Sequence, residues 1–243
     1  MSQSVIITGA NSGLGFALAK RFVKAGDRVY GISKTKRNWS YVKSELADSG
    51  HFFLYQLDVT SEPKVRKWLK NFRRKVKKID ILINSAGYSS RPTPVEKLSV
   101  KEFQKNISAN LFSAFLMCKY ALPIFKSQKQ GLIINIASMA GKRAVPNLAA
   151  YSASKFGVLA LSQSIAKENP NAGFKCITVC PGGMNTIMRV KLFGKADAER
   201  QQSPDYVADI ILKIVQNKIS VESGGDIIIR HGKIAAINPK PAA

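Results

Sequence analysis

The segment Tyr151-Ser152-Ala153-Ser154-Lys155 sets a phenol and an ammonium four residues apart. On a helix that spacing puts both side chains on one face, where they can flank a single spot. A free tyrosine titrates at about 10 and sheds its proton too reluctantly for work at neutral pH. A cation within a few ångströms favours the phenolate, and each unit of downward shift corresponds to about 1.4 kcal/mol. A phenol tuned in this way is an efficient proton donor and acceptor. The spacing alone equally describes an ordinary surface pair. What singles it out is Ser138, which follows the apolar run Leu132-Ile133-Ile134-Asn135-Ile136 and would stand where a strand end meets a ligand crevice.

A second chemical feature lies near the N-terminus, in Thr8-Gly9-Ala10-Asn11-Ser12-Gly13-Leu14-Gly15. It follows Val5-Ile6-Ile7 directly and opens a helical pattern ending near Gly26. Glycines let a backbone turn tightly and approach a pyrophosphate, and the free amides of a helix start bind the anion. The strand-turn-helix context makes this a cofactor-binding turn, read on Gly9, Asn11, Ser12, Gly13, Leu14 and Gly15.

The spacing Thr-Gly-x-x-x-Gly-x-Gly resembles that of the short-chain dehydrogenase/reductase family, and further segments match in order. Asn84-Ser85-Ala86-Gly87 corresponds to the family's Asn-Asn-Ala-Gly, Asn110 falls in a long helical stretch, and Ser138 precedes Tyr-x-x-x-Lys at Tyr151 and Lys155. Cys180-Pro181-Gly182 corresponds to the family's Pro-Gly turn. The resemblance covers nearly the whole chain. It implies that Ser138 hydrogen-bonds a substrate oxygen and that Tyr151 gives or takes the proton. Lys155 would hold the nicotinamide ribose and lower the Tyr151 pKa, and Asn110 would anchor a relay water. Asn84, Ala86, Gly87, Pro181, Gly182 and Thr186 would line the cofactor site. Asp58 and its neighbour Val59 match the position that meets the adenine, although Asp58 is equally a plausible N-cap. The hydride chemistry would belong to the cofactor, with the protein aligning the reacting carbons. The expected enzyme is thus an oxidoreductase interconverting a carbonyl and an alcohol. A rival of another class is a cofactor-binding regulatory or scaffold module, which would need the Gly-rich turn but not the intact Asn110, Ser138, Tyr151 and Lys155.

Charge at the second strand's end chooses the cofactor. An Asp or Glu there holds a ribose 2′-hydroxyl, whereas a cation accommodates a 2′-phosphate. The chain reads Gly31-Ile32-Ser33-Lys34-Thr35-Lys36-Arg37, without an acid. Ser33 and Lys34 therefore favour NADP(H) over NAD(H).

These residues need a scaffold that brings them together. Apolar, Ile- and Val-rich runs at 5–7, 28–32, 52–57, 79–83, 132–136, 174–179 and 227–229 alternate with helical patterns at 14–24, 64–76, 100–125, 152–167 and 204–216. Strands apolar on both faces, alternating with helices, mean a parallel sheet covered on each side. Right-handed crossovers make it a doubly wound, Rossmann-like α/β sheet of about seven strands. No linker or repeat divides residues 1–243, so one domain is expected, with a short substrate lid near 183–203. A short lid implies an open, tolerant site, and Arg91, Arg143 and Arg189 fall where they could orient an anionic substrate. The segment Gly224-Gly225-Asp226-Ile227-Ile228-Ile229-Arg230 departs from the family's usual C-terminal turn. That departure puts the common tetramer in doubt, so a homodimer or homotetramer through 100–125 and 152–167 is the expectation.

The composition is globular, with 45% hydrophobic and 22% charged residues. No apolar stretch is read as reaching the ~20 residues of a membrane span. The N-terminal residues lack a signal-peptide pattern and the C-terminal ones a retention signal, which leaves the cytoplasm as the expected compartment. Cys176 and Cys180 sit in an apolar run as small hydrophobes, and His51 and His231 make no ligand-like cluster, so neither a catalytic thiol nor a metal is expected. The net charge of +23 predicts attraction to polyanions. It is densest over residues 64–78, where Val65, Trp68, Leu69, Phe72 and Val76 form one apolar stripe and the cations the opposite face. That face is either solvated or a dock for an acidic partner such as an acyl carrier protein, for RNA or for anionic lipid. No aromatics interleave with the cations, which argues against a specific nucleic-acid platform.

Overall fold

The computed structural model describes residues 2–46 and 49–239. Met1 and residues 240–243, which entered the targeting readings, lie outside the described residues. Eight strands form one sheet in the order β3-β2-β1-β4-β5-β6-β7-β8. They are β1 (Ser4–Thr8), β2 (Arg28–Ser33), β3 (Phe52–Gln56), β4 (Ile81–Asn84), β5 (Gly131–Ile136), β6 (Phe174–Pro181), β7 (Asp226–Arg230) and β8 (Lys233–Asn238). The first seven pair in parallel.

Strand alternation sorts the side chains onto two helical layers. Val5, Ile7, Ile83, Ile134 and Val179 face α1 (Gly13–Lys24), α2 (Trp39–Leu46) and α9 (Pro204–Val215), meeting Leu18, Phe22 and Ile211. Ile6, Leu82, Ile133 and Cys176 face the opposite way, onto α3 (Glu62–Lys75), α5 (Ser113–Gln128) and α6 (Ala149–Glu168). Leu69, Phe72, Met117 and Phe125 close that second layer. Because both faces are covered, the strands read as near-continuous apolar runs.

Three features go beyond the sequence expectations. First, β8 adds an eighth, antiparallel strand to the seven expected. His231 (φ 52°) and Gly232 (φ 65°) form a two-residue turn in which both residues have positive φ, the geometry that suits a tight hairpin. Second, α4 (Val100–Ile107) runs through a π-turn at Ser108–Phe112 into α5. Contrary to the sequence reading, Val100–Gln128 is long and apolar enough, at mean hydropathy 1.3, to cross a membrane by length and composition. In this fold, its Leu116, Met117, Ala121 and Phe125 are buried against the sheet. Third, the segment expected to form a lid is helical: Thr186 caps α7 (Ile187–Phe193), and α8 (Lys195–Glu199) follows.

Candidate active site

The turn after β1 is shaped by contacts that leave no room for side chains. Gly9 adopts φ 73°, and a Cβ there would stand 3.0 Å from the Ala86 Cα. A Cβ on Gly15 would lie 2.2 Å from the Gly9 carbonyl oxygen, so α1 presses directly on the turn. The Ser12 side chain makes no capping bond, which leaves the first-turn amides of α1 free of a side-chain partner. Thr8, which the sequence reading passed over, fixes the neighbouring loop: its hydroxyl oxygen accepts from the Ser85 and Ala86 amides, both at 3.0 Å. Its position just before the first glycine was the available signal.

From this turn a cleft of about 580 Å³ runs across the C-terminal strand ends. Gly9, Asn11, Ser12, Gly13, Leu14 and Gly15 line one end, with Ser33, Lys34, Asp58 and Val59 beside them. Ala86 and Thr186 stand close against the turn's glycines, and Gly87, Asn110, Tyr151 and Lys155 line the other end. Tyr88 and Lys105 also contribute walls without having been anticipated, because nothing local in the sequence marks them, and Ile187 and Met188 do so from the segment expected as a lid. The Lys105 ammonium lies 4.0 Å from the Tyr88 ring centroid, and the Tyr88 hydroxyl donates to Glu102 at 2.6 Å.

Three expected cofactor contacts stand outside the cleft wall. The Asn84 amide donates instead to Asn135 Oδ1 at 2.8 Å, inside the sheet between β4 and β5. Pro181 is the last residue of β6 and pairs with Ile229. Gly182 packs so closely on β7 that a Cβ would come within 2.9 Å of the Arg230 Cβ. In each case a strand-end residue is spent on joining neighbouring strands.

The chemistry-bearing residues converge at the inner end. Lys155 is 5% exposed, donates to the Ile136 carbonyl at 2.8 Å, and holds its ammonium 5.7 Å from the Tyr151 ring centroid. Burial lowers its pKa to about 8. Burial pushes the Tyr151 phenol up instead, opposed by a hydrogen bond from the Ser138 hydroxyl. This corrects the expectation that Lys155 depresses the Tyr151 pKa: among the protein's own groups, desolvation wins. Asn110 accepts from the Tyr88 amide and donates to the Tyr88 carbonyl, both at 2.8 Å, and also donates to Ser154 Oγ at 2.9 Å. The π-turn places it there. A Cβ added to Gly87 would sit 2.9 Å from Asn110 Oδ1 and 3.7 Å from Lys155 Nζ, so the missing side chain leaves a small space between them.

Where the cleft meets the end of β2, Ser33 is already engaged, accepting from Trp39 Nε1 at 2.8 Å and donating to the Thr35 carbonyl at 3.0 Å. Lys34 pairs with Asp58 at 2.8 Å. Burial alone would raise the Asp58 pKa, but hydrogen bonds from Lys34 and Thr60 hold it below the usual value. Of the three arginines, Arg189 pairs with Asp197 and stacks 4.1 Å over Phe193, bracing the lid. Arg91 and Arg143 are exposed and line no part of the cleft. The buried thiols of Cys118 and Cys180 are pushed up to about 12 by desolvation, consistent with inert packing groups. Among the described residues, no cluster of His, Cys, Asp or Glu fit for a metal occurs.

Residues 3–197 match the family model described as short chain dehydrogenase. The chain is 28% identical to an NADPH-dependent pterin aldehyde reductase of Arabidopsis thaliana, over 94% of this chain and 93% of that protein. It is 34% identical to a 2-(R)-hydroxypropyl-CoM dehydrogenase of Xanthobacter autotrophicus, over 90% and 86% respectively. Among solved structures, a 3-ketoacyl-(acyl-carrier-protein) reductase from Brucella melitensis complexed with NADH is similar at 27% identity and a TM-score of 0.85. That similarity covers 93% of this chain and 96% of that one.

Proposed function

The chain belongs to the short-chain dehydrogenase/reductase family, and from that premise we propose an NADP(H)-dependent oxidoreductase that interconverts a carbonyl and an alcohol on small molecules. The observation that carries this reading is one cleft joining a side-chain-free turn at a helix start to a cluster of half-buried Tyr151 with buried Lys155 and Asn110. The turn fits a pyrophosphate, because Gly9, Gly13 and Gly15 clear the approach and the first amides of α1 supply donors. When bound there, the nicotinamide supplies the hydride.

The chain's own residues handle the proton. Tyr151 donates it to the carbonyl oxygen during reduction and removes it from the hydroxyl during oxidation. Ser138, whose hydroxyl draws the phenol's pKa down, orients that same oxygen. Lys155 holds the ribose and keeps a positive charge beside the ring, while Asn110 and the space over Gly87 accommodate a relay water. NADP(H) is favoured because no acid stands at the end of β2 and because Lys34 is 66% exposed, free to swing from Asp58 to a 2′-phosphate. The compartment proposed is the cytoplasm, and the assembly a homodimer or homotetramer.

The test is oxidation of NADPH and NADH against ketones, aldehydes, quinones and 3-oxoacyl thioesters, with Tyr151→Phe alongside. Loss of the general acid is expected to lower kcat by about 10²–10⁴-fold. A preference for NADH would overturn the Lys34 argument. Binding of NADPH without turnover of any substrate would favour a regulatory module whose basic surface docks an acidic partner.

A further inference from the structure

Ser138 opens a single 3₁₀ turn, Met139–Gly141, that is anchored at three points. At its start the Ala137 amide donates to the Val179 carbonyl of β6 at 2.8 Å. Along its side Gly141 abuts α6, since a Cβ there would lie 2.6 Å from the Lys155 carbonyl oxygen. At its end Lys142 reaches to β7 and pairs with Asp226 at 2.8 Å. Asp226 is 4% exposed, and its second carboxylate oxygen accepts from Asn238 of β8 at 2.8 Å. The C-terminal hairpin thus grips the segment that carries the hydroxyl. The Cys180 thiol lies among the same groups, within electrostatic reach of Asp226, Lys142 and Lys155.

We propose that Asp226, held by Asn238 and acting through Lys142, is a positioning residue for Ser138, which makes the added β7–β8 hairpin part of the catalytic apparatus. The inference rests on the proposed function for its kinetic consequence but not for its geometry. A buried carboxylate with one cation and one amide partner has a single low-energy arrangement, and removing the cation leaves a charge it cannot easily satisfy. The turn then has only two anchors, and a hydroxyl displaced by about 1 Å can cost roughly 10²-fold in rate.

Two measurements test this. In carbonyl reduction, Lys142→Met should lower kcat roughly 10- to 100-fold, leave the KM for NADPH within about twofold, and be largely rescued by Lys142→Arg. In a Ser138→Ala background the same change should do nothing further. An additive loss there would mean a merely structural role and overturn the proposal. The second measurement needs no turnover: ¹³Cζ-labelled tyrosine spectra across pH, with Tyr151 assigned through Tyr151→Phe. Lys142→Met should move the Tyr151 titration upward as Ser138→Ala does, because each takes from the phenol the Ser138 hydroxyl that draws its pKa down. An unchanged titration would sink the idea even if the enzyme turned over nothing. Should Lys142→Met fold poorly, Asn238→Ala loosens the same carboxylate and should show both effects at smaller size.

Discussion

Burial acts in opposite senses on the two ionisable groups of the helix pair. It raises the Tyr151 phenol and lowers the Lys155 ammonium, in each case by disfavouring the charged form. The phenol therefore keeps its proton throughout the neutral and mildly alkaline range, whereas Lys155 loses its own as pH rises through about 8. Reductive kcat/KM is expected to fall along an alkaline limb set by Lys155 at about 8, not by the tyrosine. Lys155→Arg, whose guanidinium stays charged, should push that limb upward; a limb unmoved by this substitution would assign it to another group. The same desolvation makes Lys155 a better folded-state group at high pH. Its proton affinity is lower in the folded than in the unfolded chain, so its contribution to stability rises between about 8 and 10.5.

At the scale of elements, the site depends on how tightly α1 meets the turn after β1. A methyl on Gly15 would collide with the Gly9 backbone, which cannot give way as a flexible side chain could. Gly15→Ala should therefore cost about 1–3 kcal/mol, felt as roughly tenfold weaker NADPH binding. Fluorescence titration of NADPH checks this, and unchanged affinity would mean that the turn relaxes without consequence. The paired packing of α1 on α9 supplies the other side of that element. Arg21 bonds Asp209, and Ile211 is fully buried, so Ile211→Ala is expected to lower unfolding stability by about 2–5 kcal/mol in urea titrations. Cofactor affinity should barely change, since Ile211 lines no part of the cleft.

The whole molecule carries a net charge of +23, and its outer surfaces differ in kind. On α3 the cations surround a groove lined by Arg66, Lys70, Arg73, Arg74, Tyr120 and Ile124, and the helix's apolar stripe is buried. On α4 to α6 large apolar rings are exposed instead: Phe103, Phe112, Phe115 and Phe156 are 38–45% exposed. Scattered exposed phenylalanines are normal, but Phe112 and Phe115 stack with ring centroids 6.0 Å apart, an apolar pair that association would cover. Sedimentation is expected to show a dimer or tetramer that Phe156→Glu drives toward monomer. A wild-type monomer would contradict the proposed assembly.

Local pattern determined much of this protein. Apolar runs on both strand faces specified a parallel, doubly covered sheet, because only burial on both sides rewards such runs. The Gly-rich turn and the Tyr151–Lys155 spacing were legible because backbone clearance and helix periodicity are short-range properties. Strand β8 escaped notice, since an edge strand of alternately exposed and half-buried residues buries little and its His-Gly turn is a weak signal. Other outcomes depended on residues far apart in the chain. The sign of the Tyr151 shift, the pairing of Lys34 with Asp58, the turning of Asn84 into the sheet and the grip of Asp226 on the Ser138 turn are all of this kind. Desolvation and pairing are set by which distant segments pack together, and that is settled only when the chain has folded.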